Sequence, residues 1–113
     1  MKATLEKTQI LRDLAKNPHI SQREIAVKNG MSLGKVNYAI QSLIAKGFVK
    51  LQNFRASENK RKYMYILTPE GMYEKTRLTT AFLKWKMEEY ERIRREIAEL
   101  EAEIGAPEQQ EQQ

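Results

Sequence analysis

Residues 21–47 read SQREIAVKNGMSLGKVNYAIQSLIAKG. Two helix starts and two stops fall inside this one span. Ser21 with Glu24 three residues later is a capping box, in which each side chain satisfies a backbone N–H at the helix start. Ile20 and Ile25 stand on either side of that cap at the spacing of a hydrophobic staple. Asn29-Gly30 ends the helix, because glycine adopts the left-handed conformation without steric cost. Ser32 then caps a second helix, Met31 and Val36 repeat the staple spacing, and Gly47 stops it after Lys46. Two helices joined by a short glycine turn form a helix-turn-helix pattern.

The second helix has two unlike faces. Val36, Ile40, Leu43 and Ile44 recur at three- and four-residue steps and make a stripe for burial. Away from it lie Lys35, Asn37, Tyr38, Gln41 and Ser42, side chains able to hydrogen-bond to base edges and phosphates. The third position after the cap, where a capping box would place glutamate, is Lys35. An acid there would help the helix but repel a phosphate, so the lysine favours an anionic partner. An ordinary amphipathic helix with a solvated face has the same periodicity, and the flanking sequence has to separate the two readings.

Charge separates them. The 113 residues carry a formal +5, unevenly spread. Residues 1–69 hold 13 Lys/Arg against 4 Asp/Glu, a formal +9, whereas residues 70–113 hold 7 against 11, a formal −4. The front of the chain suits a polyanion and the back does not. Absence of cysteine excludes disulfides, thiol redox sensing and thiolate metal sites. The lone histidine, His19, cannot build a histidine metal site. No nucleophile–base pair, glycine-rich phosphate loop or ligand cluster appears, so neither an enzyme nor a bound cofactor or metal is expected. No run of eighteen apolar residues occurs, and MKATLEKTQI lacks the apolar core of a signal peptide, so a soluble, cytoplasmic protein without a membrane partner is expected.

Before the central stretch, a support helix is expected from Leu5 to Lys16, with Thr4 as its cap and Asn17-Pro18 as its end. Its stripe is Leu5, Ile10, Leu11, Leu14 and Ala15. After Gly47 the period changes. FVKLQNFR (48–55) reads as a strand, ASENK as a polar turn and RKYMYILT (61–68) as a second strand rich in aromatic and branched residues. This hairpin carries Arg55, Lys60, Arg61 and Lys62 around the single acid Glu58. Such a cationic wing beside a helix pair is placed to touch phosphates or enter a minor groove. Tyr63 and Tyr65 share a strand face; in a two-stranded ribbon they are expected to pack rather than to stack on bases.

Thr68-Pro69-Glu70-Gly71 opens a last helix: threonine caps it, proline takes the first position, and the glutamate complements the dipole. No stop appears before Gly105, which Pro107 reinforces. A helix of this length needs a partner to pack on. Met72, Leu78, Phe82 and Trp85 share a face early. Leu83, Met87, Tyr90, Ile93, Ile97, Leu100 and Ile104 follow as a second stripe, whose last five positions approximate a heptad seam flanked by ERIRREIAELEAE. Pairing of two protomers along this stripe, a short coiled coil, is the expectation, with folding back onto the same chain as the alternative. APEQQEQQ is expected to be a disordered tail.

From Ser21 to Gly71 the sequence resembles the winged helix-turn-helix domain of MarR-type transcriptional regulators. The resemblance rests on SQREIA, on SLGKVNYAIQSLIAKGFV and on ILTPEG after the wing. The short length and basic wing are similar to a MarR-like branch associated with exopolysaccharide biosynthesis genes. The resemblance implies a prokaryotic homodimer that binds a palindromic operator on double-stranded DNA. It places Gly34, Lys35, Asn37 and Tyr38 at base-reading positions and sends Arg61 toward a minor groove. Three departures stand out. Asn59 replaces the aspartate that usually precedes the wing arginine, Tyr38 stands where arginine is common, and Gly34 replaces a small hydroxyl residue. With the first helix expected to begin near residue 4, the family's extra N-terminal dimerisation helix is expected to be missing. Many relatives hold a small aromatic effector between the dimer helices and the DNA-binding domain, so the resemblance leaves room for such a ligand, which the shortened scaffold does not itself support.

The expected architecture is therefore mainly α with a small β-hairpin. Residues 1–68 form a winged helix-turn-helix domain, 69–105 a dimerisation helix and 106–113 the tail. The expected function is that of a sequence-specific transcriptional regulator, a repressor. Ser32, Gly34, Lys35, Asn37, Tyr38 and Gln41 would face the major groove. Ser21, Gln22 and Arg23 would hold the preceding helix on the backbone, and Arg55, Lys60, Arg61 and Lys62 would supply the wing contacts. The rival from another class is a protein-interaction adaptor that reuses the winged fold.

Overall fold

A computed structural model describes the backbone of residues 2–57 and 60–105, and the side chains of those residues outside 54–61. Glu58 and Asn59, and the tail from residue 106 with Pro107, lie outside the described residues. The elements follow in the order α1 (Lys2–Lys16), α2 (Gln22–Asn29), α3 (Leu33–Ala45), β1 (Val49–Ser57), β2 (Lys60–Leu67) and α4 (Pro69–Ile104). This is a mainly helical chain with one antiparallel hairpin, the arrangement of a winged helix-turn-helix. It divides into two compact units, the first ending at Thr80 and the second beginning at Ala81.

The caps form as their residue types require. Ser21 Oγ accepts from the Glu24 N–H (3.0 Å) and the Ser21 N–H donates to Glu24 Oε1 (3.2 Å), closing the capping box. Gly30 ends α2 at φ 63°, and the Met31 N–H donates back to the Ala26 carbonyl. Ser32 caps α3 through the Lys35 N–H (3.1 Å). One expectation needs correcting. Helix α1 starts at Lys2, so Thr4 lies inside it and caps nothing; its carbonyl instead accepts from the Thr8 hydroxyl (2.8 Å).

One apolar core joins the elements of the first unit. Ile10, Leu11 and Leu14 of α1, Ile25 and Ala26 of α2, Val36, Ala39, Ile40 and Leu43 of α3, Val49 of β1 and Leu78 of α4 are buried together. Both staples close on it, since Ile20 and Met31 pack partly buried against this cluster. Ile44, Phe48, Tyr65 and Leu67 line its edge, whereas Leu5 and Ala15 are only half-buried. The expectation from periodicity omits one buried charge. Asp13 is 5% exposed, and its two oxygens accept from Lys28 Nζ and Asn29 Nδ2, both at 2.8 Å. A buried carboxylate is tolerated only when so partnered, and here the partners tie α1 to the end of α2.

The hairpin pairs Val49 with Leu67 at its base and Arg55 with Arg61 further out, with a register irregularity between Arg55 and Ser57. The strands therefore run beyond the expected ends, and most of the ASENK turn is strand. At the base, Thr68 works as a three-way node. Its N–H donates to the Phe48 carbonyl (3.0 Å), its hydroxyl to the Gly47 carbonyl (2.6 Å), and its Oγ1 accepts from the Gly71 N–H (3.0 Å). Gly71 has no room for a side chain: a Cβ would overlap the Phe48 carbonyl oxygen outright and lie 2.8 Å from its carbon. In the second unit, Leu83, Met87, Tyr90, Ile93, Ile97, Leu100 and Ile104 are each 42–61% exposed.

Asp13→Ala should lower stability by about 1–3 kcal/mol, the cost of removing a buried, charge-assisted acceptor. Urea denaturation followed by far-ultraviolet circular dichroism checks this. A midpoint unchanged from the parent would show that the Asp13 clamp contributes nothing.

Candidate nucleic-acid interface

Burial of one face of α3 decides what the other face presents. Val36, Ile40 and Leu43 are at most 1% exposed. At about 100° per residue, this turns Gly34, Tyr38, Gln41 and Ala45 to the opposite side, flanked by Asn37 and Lys35. All six are exposed, Tyr38 to 78%. The chain thus holds a large aromatic side chain out in water in the middle of a polar helical face. Gly34 has ordinary helical backbone and no atom within 4 Å of where a Cβ would stand, so nothing within the chain requires glycine there.

The helix starts add donors. Ser21 and Ser32 use Oγ as an acceptor in their caps, which leaves each hydroxyl proton free to point outward. The first four N–H groups of a helix are partly unsatisfied and carry a positive end. Lys35 stands there with its Nζ 3.8 Å from Glu6 Oε1 of α1, a loose ion pair between an exposed lysine and a half-buried glutamate. Sequence reasoning missed Glu6, which meets Lys35 only through the packing of α1.

The three residues expected on the backbone-contacting side of α2 part company. Ser21 and Arg23 are exposed. Gln22 is half-buried, and its Nε2 donates to the Tyr65 hydroxyl of β2 at 2.9 Å. Tyr65 packs as expected, whereas Tyr63, two residues further out, is 56% exposed. Of the wing cations, Lys62 is exposed opposite Phe54 in the strand register. Arg55, Lys60 and Arg61 have paired strand backbone, but their side chains lie outside the described residues.

A second group of charges sits away from this face. Arg77 donates twice to Glu74 (2.7 and 2.9 Å), and these hydrogen bonds, aided by the charges of Arg77, Lys46 and Lys7, hold Glu74 below the usual carboxylate range. Lys7 is held below the usual lysine range by its hydrogen bond with Lys46, then by burial and by the Lys46 charge. Among the described residues, no three His, Asp or Glu side chains gather to hold a metal. Nor is any described helix long and apolar enough to cross a membrane.

Comparison with known proteins agrees with this geometry. Residues 7–50, which span α1 to the start of β1, match the family described as winged helix-turn-helix DNA-binding. No curated protein matches the sequence. Among solved structures, a MarR family protein of Mycobacterium tuberculosis in complex with p-aminosalicylic acid is similar with a TM-score of 0.65 at 21% identity, over 89% of this chain and 78% of that one. A MarR transcriptional regulator of Methanosarcina mazei is similar with a TM-score of 0.62 at 23% identity, over 88% and 76%. FabT of Streptococcus pneumoniae, in complex with DNA, is similar with a TM-score of 0.55 at 22% identity, over 91% and 71%. Over residues 7–50 the chain is thus similar to the winged helix-turn-helix DNA-binding family, and it shares the fold of these MarR family proteins.

Proposed function

We propose that this protein is a sequence-specific transcriptional regulator that binds a palindromic operator on double-stranded DNA as a homodimer and represses from it. The observation that carries this reading is the exposed face of α3, where glycine, a free aromatic ring, amides and a lysine stand beside a strongly basic remainder of the domain. In this reading residues 1–68 form the DNA-binding domain and 69–105 the dimerisation helix. Ser32, Gly34, Lys35, Asn37, Tyr38 and Gln41 enter a major groove. Ser21 and Arg23 seat α2 on phosphates, and Arg55, Lys60, Arg61 and Lys62 act from the wing.

The division of labour follows from chemistry. Lysine and arginine neutralise phosphates and supply affinity at the cost of salt sensitivity. Asparagine can pair with adenine through two hydrogen bonds, so Asn37 contributes selectivity. Dimerisation is supported by the half-exposed stripe from Leu83 to Ile104. Seven large apolar side chains on one helix, each about half in water, are more exposure than a lone chain gains by keeping. Two chains paired there present two reading helices to half-sites about one helical turn of DNA, or a small multiple, apart. A DNA-bound structural neighbour supports duplex DNA as the partner. Another neighbour carries p-aminosalicylic acid, but no residue of this chain supports an effector strongly enough to propose one.

Selection of bound sites from random duplex DNA, with molar mass measured in the same buffer, should return a two-fold symmetric motif and a dimer. Recovery of no motif, together with tight capture of a protein partner, would favour an adaptor instead. Asn37→Ala should relax the preference at one position of each half-site by about 1–3 kcal/mol; unchanged selectivity in the same selection would refute its role. Gly34→Ala should strengthen the helix by up to about 1 kcal/mol while weakening operator binding, because the added methyl meets DNA and not protein. Thermal melting and a binding titration read the two effects, and undiminished affinity would place this turn away from the groove.

A further inference from the structure

We propose that Gln22 and Tyr65 form a brace that sets the angle of the wing against the helix pair, making Gln22 a positioning residue for the wing instead of a phosphate contact. The effect on binding rests on the DNA-binding reading above; the mechanical part does not.

Two hydrogen bonds, both at Tyr65, fix the hairpin to the start of α2 and to the connection that precedes it. The Gln22 Nε2 donates to the Tyr65 hydroxyl at 2.9 Å, and the Tyr65 N–H donates to the Pro18 carbonyl at 3.2 Å. The Tyr65 ring is packed against the core edge, so its hydroxyl reaches Gln22 from an anchored position. Gln22 in turn sits immediately after the capped Ser21, where the capping box holds its backbone. Each end of the contact is therefore supported by structure of its own.

Beyond Tyr65 the hairpin continues through Asn53–Tyr63 and Phe54–Lys62 to Ser57–Lys60 as two strands only. A two-stranded ribbon twists and bends more readily than a wider sheet. Five residues separate Tyr65 from Lys60, about 16 Å at roughly 3.3 Å per residue. A tilt of about 10° at Tyr65 would move that end by about 3 Å, a whole charge-assisted hydrogen-bond length. The cations carried by the hairpin would then lose or keep their phosphates according to a contact made far from them. A glutamine engaged in this way also has its amide turned to the protein, and it is half-buried where its neighbours Ser21 and Arg23 are exposed.

The test uses the full chain with Gln22→Ala and Tyr65→Phe, each alone and each combined with Arg55→Ala/Lys60→Ala/Arg61→Ala/Lys62→Ala, against the selected operator at several salt concentrations. Tyr65→Phe removes one oxygen and leaves the packed ring, so folding is kept. Both single changes should weaken binding by about 3–10-fold and flatten the salt dependence by about one phosphate contact, and both effects should vanish once the wing cations are gone. A loss with Gln22→Ala that persists without the wing, while Tyr65→Phe is silent, would make Gln22 a phosphate contact and overturn the brace. Silence of both would overturn it too.

A second measurement needs no DNA. The chain has no cysteine, so spin labels at Val27→Cys and Lys62→Cys, in labelled chain diluted with an excess of unlabelled chain, report the α2-to-wing distance within one protomer. Tyr65→Phe should broaden that distance distribution. An unchanged distribution would overturn the brace even if operator binding is found, and a broadened one would sustain it even if no duplex is bound.

Discussion

Everything the domain presents to a partner depends on the removal of one side of α3 from water. Val36, Ile40 and Leu43 meet Ile10, Leu11, Leu14 and Ile25 in a single cluster, and each fully buried aliphatic side chain contributes about 1.5–3 kcal/mol. Shifting α3 by even one residue would put Asn37 and Gln41 where Val36 and Ile40 stand and forfeit the burial of both. The exposed polar face of α3 is thus held outward by what its opposite face buries. The caps at Ser21 and Ser32 and the left-handed Gly30 fix where the two helices begin and end, so rotation and register are set together.

The remaining elements serve as attachments to that unit. The Asp13 clamp on Lys28 and Asn29 joins α1 to the end of α2. The Thr68 node and the close contact of Gly71 with Phe48 join the exit of α3 and the base of the hairpin to the start of α4. Tyr65 attaches the hairpin to the start of α2. Each attachment is polar and geometrically specific, in contrast with the core, whose apolar contacts set burial but not angle. Electrostatics follow the same layout. The domain is basic, the later part of α4 is acidic, and surplus positive charge on the first suits a polyanionic partner.

Much of this was legible in the residues because it is local. A capping box, a staple, a turn glycine and a three-to-four-residue stripe all act within a few positions, so their types and spacing carry the information. The helix pair, the hairpin and the opening of α4 at Thr68 could therefore be read directly. The features that could not be read are contacts between distant positions. Asp13 with Lys28, Glu6 with Lys35, Gln22 with Tyr65 and Gly71 with Phe48 each join residues far apart in sequence. Gln22 illustrates the consequence: its type and place suggest a phosphate contact, and only the arrival of β2 gives its amide another partner. The start of α1 was misread for a local reason, since Thr4 has the chemistry of a cap but supplies a carbonyl to Thr8 inside the helix.

The central claim is that the basic domain grips duplex DNA through several phosphates at once. The direct measurement is the affinity of the purified chain for a random duplex as salt is raised from about 50 to 200 mM. If the account holds, binding is measurable at the low end and falls steeply, with a log–log slope of several units, as counterions return to the phosphates. A chain that binds no duplex even at the lowest salt, or binds with a flat salt dependence, would contradict it.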